Sequence, residues 1–290
     1  MVSTLRRGSP QTASAWVRRA RPVLGTLVAI SIADRRPARQ LHAAIDVAFG
    51  CMERIHRLMS FQMPDSELRG LNREAARYPQ TVDPHTYAVF ETALRIAALS
   101  DGAFDPCVAP RLEAWGLLPH AQSPCDPAAN WRAIELLPGE RIRYASPVRA
   151  DLSGIAKGYA VDLAVQSLQA NGLEHIIVNA GGDLRVAGPD THCVHLRNPS
   201  QPSRSGHALD LCDAALATSA NYFSRRASST ASVSALVNPR DGTPYLGARS
   251  VSVCAANCMV ADALTKVVLF APNEIAQTVL TSFDAQAYLI

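Results

Sequence analysis

The sequence predicts an α+β fold made as one folded unit. Three observations carry that reading. Helical periodicity and strand-like runs come in blocks instead of the regular alternation of a doubly wound sheet. Glycine-centred turns separate short β-rich segments through the second half. The 290 residues, 48% hydrophobic and 18% charged, suffice for one large core without a long polar tract. Residues 21–290 are expected to form that unit behind a loose, basic lead-in over 1–20.

In chain order, residues 24–32 alternate enough to read as a strand bounded by Gly25 and Asp34. From 38 to 59 the apolar positions Leu41, Ile45, Ala48, Met52, Ile55 and Leu58 recur at helical spacing, which makes an amphipathic helix. A second helix is expected over 84–100, with Pro84 in its first turn, Val89, Ala93, Ile96 and Ala97 on one face, and Asp101-Gly102 as the stop. Residues 119–147 turn to proline, alanine and polar side chains around Trp131 and read as a loop with a short irregular excursion. A third helix over 155–169 ends at Asn171-Gly172 and leads into a strand over 175–179. Strands and turns follow to Tyr245, then a strand over 251–255, a helix over 260–270 and a terminal strand over 287–290.

Composition excludes several function classes. A formal charge of +3 lacks the concentrated basic stripe that nucleic acid requires, while a phosphate-bearing small ligand is compatible with it. Seven cysteines without a CxxC pair or zinc-type spacing read as reduced thiols, mostly buried. Neither a secretory signal nor a membrane span is visible. The first apolar run, 23–33, is interrupted by Gly25, Thr26 and Ser31 and falls short of the ~18 residues a bilayer needs. No internal repeat or low-complexity tract is present.

Two segments carry chemistry. DLSGIAKGYAVD at 151–162 feeds a loop of small residues into a helix with Lys157 near its start, a place that suits phosphate because helix-start amides and a lysine add positive potential. Taken alone, a glycine-containing helix start with a surface lysine is equally good a reading. NAGGDLRVAG at 179–188 sets Gly181 and Gly182 between two β-rich runs, with Asp183 next. Paired glycines permit close ligand approach, and an isolated GGD is more often a plain hairpin turn.

Together these segments resemble the hallmark blocks of the ApbE family of FAD:protein FMN transferases. LGT at 24–26, MSFQMPDSELRGLN at 59–72, GAFDPCVAP at 102–110, LATSANYF at 216–223, NPRDGTP at 238–244 and CMVADALTK at 258–266 resemble further blocks of that family in the same order, so the likeness spans residues 23–270. It implies a single two-lobed α+β domain with mixed or antiparallel sheets, flanking helices, and FAD in a cleft between lobes. The flavin dinucleotide would be bound by Ala103, Phe104, Asp105, Lys157, Asp162, Gly181, Gly182, Asp183, Thr218 and Ser219. Magnesium would be held by Asp262 and the backbone oxygen of Ala156, with Lys157 and Asp262 in the catalytic roles. FMN would pass to a threonine or serine of an acceptor protein, such as a subunit of a membrane redox complex, and AMP would leave. Asp105 before Pro106 is also a common turn former.

Several positions depart from the family pattern. The third metal ligand, a threonine four residues after the aspartate, is Lys266 here, and Thr265 would point about 100° away on the helix. An ammonium cannot ligate magnesium, so Lys266 is expected to contact phosphate directly; an ordinary i,i+4 pair with Asp262 is the plain alternative. The histidine that often precedes the NP turn is Ala235, leaving Asp262 or metal-bound solvent to remove the proton. Leu24 stands for the usual Met, Gln62 for a flavin-contacting Tyr, and Ala220-Asn221 for Gly-Asp. Those losses keep an FAD carrier or an FAD pyrophosphatase as alternatives to protein flavinylation. Members of the family usually act outside the cytoplasmic membrane, whereas no export signal is seen in this chain.

Overall fold

The computed structural model describes residues 16–122, 124–197, 205–221, 226–227 and 232–290. Strands β1 (Trp16–Val23) and β2 (Thr26–Ala33) pair as a hairpin. Its two turn residues, Leu24 and Gly25, have φ of 56° and 71°. That is type I′ turn geometry, which matches the twist of the paired strands. β1 begins inside the expected lead-in. Its strand character was hidden because Arg19 and Arg21 occupy inward positions, where both pair with Asp46 of the first helix.

Helix α1 (Ala38–Met59) buries Leu41, Ile45, Ala48, Met52 and Ile55, as its periodicity predicts. Four elements then form a smaller lobe: α2 (Glu67–Glu74), β3 (Gln80–Thr81), α3 (Pro84–Leu99) and α4 (Ala109–Ala114). Ser66 caps α2 by accepting from Arg69 N at 3.2 Å, and Asp83 caps α3 by accepting from His85 N at 2.9 Å. The expected irregular excursion is instead ordered. A single 3₁₀ turn (Trp131–Ala133) leads into β4 (Ile134–Leu137) and β5 (Arg141–Tyr144), which complete a three-stranded sheet with β3 in the order β3-β5-β4. The hairpin signal there was masked by Glu135, Arg141 and Arg143, whose side chains take the solvent face.

Helix α5 (Ala156–Ala170) precedes β6 (His175–Ala180), β7 (Asp183–Ala187), β8 (His192–Arg197), β9 (Ser205–Leu211), β10 (Ala215–Ser219), β11 (Arg226–Ala227), β12 (Ser232–Val233) and β13 (Val251–Ala255). The chain ends with α6 (Cys258–Phe270), α7 (Asn273–Ser282) and β14 (Gln286–Leu289). Seven strands make the main sheet, in the order β1-β2-β6-β7-β10-β13-β14, and every pairing in it is antiparallel. Val28, Ile30 and Ile32 of β2 are fully buried, as are Ile176 and Val178 of β6, on the sheet face covered by α1, α5 and α6. The opposite face carries Leu184, Val186 and Leu216, which pack with Val194, Leu196 and Leu211 of the β8–β9 hairpin.

One continuous core joins the main sheet, the helices and the smaller lobe, so the two lobes fold on shared apolar surface. Among the described residues no helix is long and apolar enough to cross a membrane. All seven cysteines are unpaired, but only Cys258 is fully buried and Cys212 is exposed. The expectation of mostly buried thiols is therefore corrected: five of the seven are half-buried, and Cys212 lies in the turn between β9 and β10.

Candidate active site

The positions of the two chemistry-bearing segments follow from the contact between α5 and α6. A Cβ on Gly158 would stand 2.2 Å from the Cys258 carbonyl oxygen, so the helix backbones touch there. Asp162 strengthens the same junction. Its two carboxylate oxygens accept from the amides of Cys258 and Met259, each at 2.8 Å, at the amino end of α6. Burial raises its pKa to about 6, against those two hydrogen bonds and nearby Arg185, which lower it. Expected to bind flavin, Asp162 is occupied with holding α6.

That junction brings Lys157 of α5 and Asp262 of α6 together. Lys157 Nζ touches the Asp183 carboxylate and lies 3.8 Å from Asp262 Oδ2. Gly158 N donates to Asp262 Oδ2 at 3.3 Å. Lys266, one turn along α6, contacts Asp262 Oδ1 and donates to the Asp262 carbonyl at 2.9 Å. Burial alone would raise the Asp262 pKa, but Lys157 and Lys266 outweigh it and hold the carboxyl below the ordinary range. Burial lowers the Lys157 pKa, with Asp262 opposing that shift.

The helix start is less open than expected. The Ala156 amide donates to Leu152 O at 2.8 Å, and the Gly158 amide is spent on Asp262. Positive potential at this place therefore rests on the two ammonium groups.

The GGD segment is a tight hairpin turn, the plainer of its two readings. Gly181 and Gly182 have φ of 68° and 113°, and Gly182 N donates to Asn179 Oδ1 at 3.1 Å. A Cβ on Gly181 would meet Thr26 Oγ1 at 2.4 Å, which explains why LGT and GGD belong together: two hairpin tips pack on each other. The turn delivers Asp183 to Lys157, and Asp183 Oδ1 also accepts from Thr218 N at 3.4 Å. Thr218 shares a hydrogen bond with Ser252 at 2.8 Å and Ser219 one with Thr265 at 2.6 Å. These two strand residues tie β10 to β13 and α6. Tyr222 and Phe223 of that block lie outside the described residues.

The pocket beside this cluster is lined by Ala103, Phe104, Asp105, Asp151, Ser153, Gly154, Ala235 and Lys266, among others. Phe104 is 5% exposed, so only its edge reaches the pocket. Asp105 accepts from Cys107 N at 2.8 Å in a turn, the plainer of its two readings, and lines the pocket. Beyond Asp105 lies a cavity of about 500 Å³ whose walls include Trp131, Arg132, Arg111 and Arg240. Its size suits a small-molecule ligand. Two residues escaped sequence reasoning. Trp131 was lost in a stretch read as loop, and Asp151 stands at the head of a motif in which the lysine drew attention.

Asp151, like Asp105, lines the pocket without an ion-pair partner at contact distance. It accepts from Ser153 N at 3.1 Å and Ser153 Oγ at 2.7 Å. Burial raises its pKa against those bonds and the pull of Lys266.

The expected magnesium ligands do not form a magnesium site. That ion takes hard oxygen donors in octahedral geometry. Lys266 offers only N–H donors, and both oxygens of Asp262 already face N–H groups. Thr265, the nearest hydroxyl, is fully buried and donates to Asp262 O at 2.6 Å, turned away as its helical position predicts.

Paired, half-buried ammonium groups beside an aromatic-edged pocket make an enzyme-like site. The chain belongs to the ApbE family, whose model matches residues 24–289. It is 32% identical over 229 residues to the FAD:protein FMN transferase of Vibrio cholerae serotype O1, a match covering 73% of this chain and 69% of that protein. The Rhodobacter capsulatus FAD:protein FMN transferase is 30% identical over 269 residues, covering 87% of this chain and 51% of the relative, so the chain spans about half of that protein's length. Among solved structures, the flavin transferase ApbE from Vibrio cholerae superposes with a TM-score of 0.79 at 26% identity, covering 96% of this chain and 94% of the other. The ApbE protein from Thermotoga maritima gives 0.83 at 25% identity, covering 95% and 94%.

Proposed function

We propose that this chain, a flavin transferase by family, moves FMN from FAD to a threonine or serine hydroxyl of an acceptor protein and releases AMP. The observation that supports this best is the convergence of Lys157 and Lys266 on Asp262, with Lys266 lining a pocket that shares Asp105 and Val108 with a neighbouring cavity large enough for a dinucleotide's ring. The FAD diphosphate would lie against the ammonium groups, with Phe104, Asp105 and Trp131 along the path of the rest of the molecule.

In the transfer, the acceptor oxygen attacks the FMN phosphorus, the bond from that phosphorus to the AMP oxygen breaks, and AMP takes the electron pair. Lys157 and Lys266 offset the charge that grows on the phosphoryl oxygens. Asp262 positions both cations and, being engaged by them, is a poor base. Asp151 is the better one: it lines the pocket, carries no ion-pair partner at contact distance, and burial raises its pKa above the ordinary carboxylate range, which makes it the stronger base. It takes the place left by Ala235, which lines the same pocket without a titratable group.

Incubation with FAD and an acceptor flavoprotein of the family type, followed by intact-mass measurement, should show addition of one FMN per acceptor. AMP formed with no labelled acceptor would instead identify a pyrophosphatase, and intact FAD bound without turnover a carrier.

A further inference from the structure

Building on the flavin-transfer reading, we propose that this chain grips the FAD diphosphate without a divalent cation, the Lys266 ammonium on Asp262 supplying the positive charge that a metal would otherwise supply. The misfit between the expected magnesium ligands and the residues present carries the idea.

Lys266 is fixed in the site by two attachments, the Asp262 carboxylate and the Asp262 carbonyl. Its side chain is only 16% exposed, and its stem passes the place a Cβ on Gly154 would occupy, 3.4 Å from Cε. A larger residue than glycine at 154 would crowd that path. The i,i+4 surface pair foreseen as the plain alternative is worth a few tenths of a kcal/mol because solvent screens it. Here Asp262 is buried and Lys266 half-buried, and an ammonium withdrawn from water is costly unless it is matched. An ammonium has three N–H donors. Two face Asp262, and the third is available to an anion in the pocket that Lys266 lines.

Charge reaches the same answer. Lys157 and Lys266 are matched by Asp183 and Asp262, and Asp151 adds a further carboxylate to the pocket that Lys266 lines. A magnesium ion would enter against two resident cations, and it would have to displace one of them to reach Asp262. A diphosphate meets two cations already in place.

The test measures FAD dissociation constants by quenching of flavin fluorescence, in EDTA and in millimolar magnesium, for wild type, Lys266→Thr and Lys266→Met. Thermal unfolding of each variant establishes that it is folded. Wild type is expected to bind FAD equally, within about twofold, in both buffers. Lys266→Thr should bind about tenfold or more weakly in EDTA and recover in magnesium, and Lys266→Met should be weak in both. Manganese titration of the FAD-loaded proteins, followed by loss of the free-ion EPR signal, should show tighter binding to Lys266→Thr than to wild type. Tenfold tighter FAD binding by wild type in magnesium than in EDTA would overturn the inference while leaving flavin transfer intact. Failure of wild type to bind FAD in either buffer would overturn both.

Discussion

Asp151 and Asp162 open the same twelve-residue motif and close it, yet their surroundings give them different work. Asp151 faces the pocket, and its replacement in Asp151→Asn is expected to lower FMN transfer by about 10²-fold or more while leaving FAD affinity within a few-fold, since general-base contributions are of that size. The wild-type rate should rise with pH through a carboxylate pKa lifted above the usual range by burial. A variant that keeps full transfer would remove Asp151 from the mechanism. Asp162 acts on stability. Its folded pKa of about 6 exceeds its ordinary 3.8, so the folded state holds the proton more tightly. The resulting stabilisation is complete below about pH 4 and is lost as pH rises through 6, a change of roughly 3 kcal/mol. Urea midpoints measured across that window should fall with pH in wild type and fall distinctly less in Asp162→Asn. None of this division of labour was legible in the sequence, because two aspartates at the ends of a motif look alike until the chain decides which faces solvent space and which faces an amide pair.

The elements were read best where one physical signal dominated. Helix α1 kept the bounds its apolar stripe set, and α3 began where Pro84 and the Asp83 cap place it. Strand β1 and the β4–β5 hairpin were missed because arginines and glutamate interrupt the alternation that marks a half-buried strand. Short α2 and the final helix α7 also went unread, the first inside a stretch valued for its motif. At the α5–α6 crossing, Gly158→Ala would drive a methyl group into the Cys258 carbonyl and is expected to cost about 3 kcal/mol or prevent folding. The contrasting change is Gly50→Ala on α1, where an added Cβ meets nothing within 4 Å. It should stabilise by roughly 0.5–1 kcal/mol through helix propensity. Thermal melts of the two variants check both, and equal effects would contradict the packing described for Gly158.

At the scale of the molecule, the family resemblance foresaw the α+β architecture, while the sheets proved antiparallel in every pairing among the described residues. The site was legible as a set of neighbours more than as a set of ligand contacts. Lys157, Asp183, Asp262 and Lys266 do come together, but Asp162, Gly181, Thr218 and Ser219 are spent on holding the scaffold around them. A ligand that bridges the smaller lobe and the α5–α6 junction should stabilise the whole chain, and FAD at 100 times its dissociation constant would add about 2.7 kcal/mol. The expected rise in melting temperature is about 5 °C, and no rise at saturating FAD would argue against a site shared by both lobes.

The contact at Gly158 also makes the protein a molecular ruler. Lys157 and Lys266 sit on helices whose main chains abut, so the separation of their backbone positions is set by that contact, and carboxylates at Asp183 and Asp262 tether the two ammonium groups. Such calibration favours a ligand carrying two linked phosphates over one carrying a single phosphate, which would engage one ammonium in place of two. Discrimination between a dinucleotide and its mononucleotide halves then begins in the spacing of two helices, before any ring is recognised.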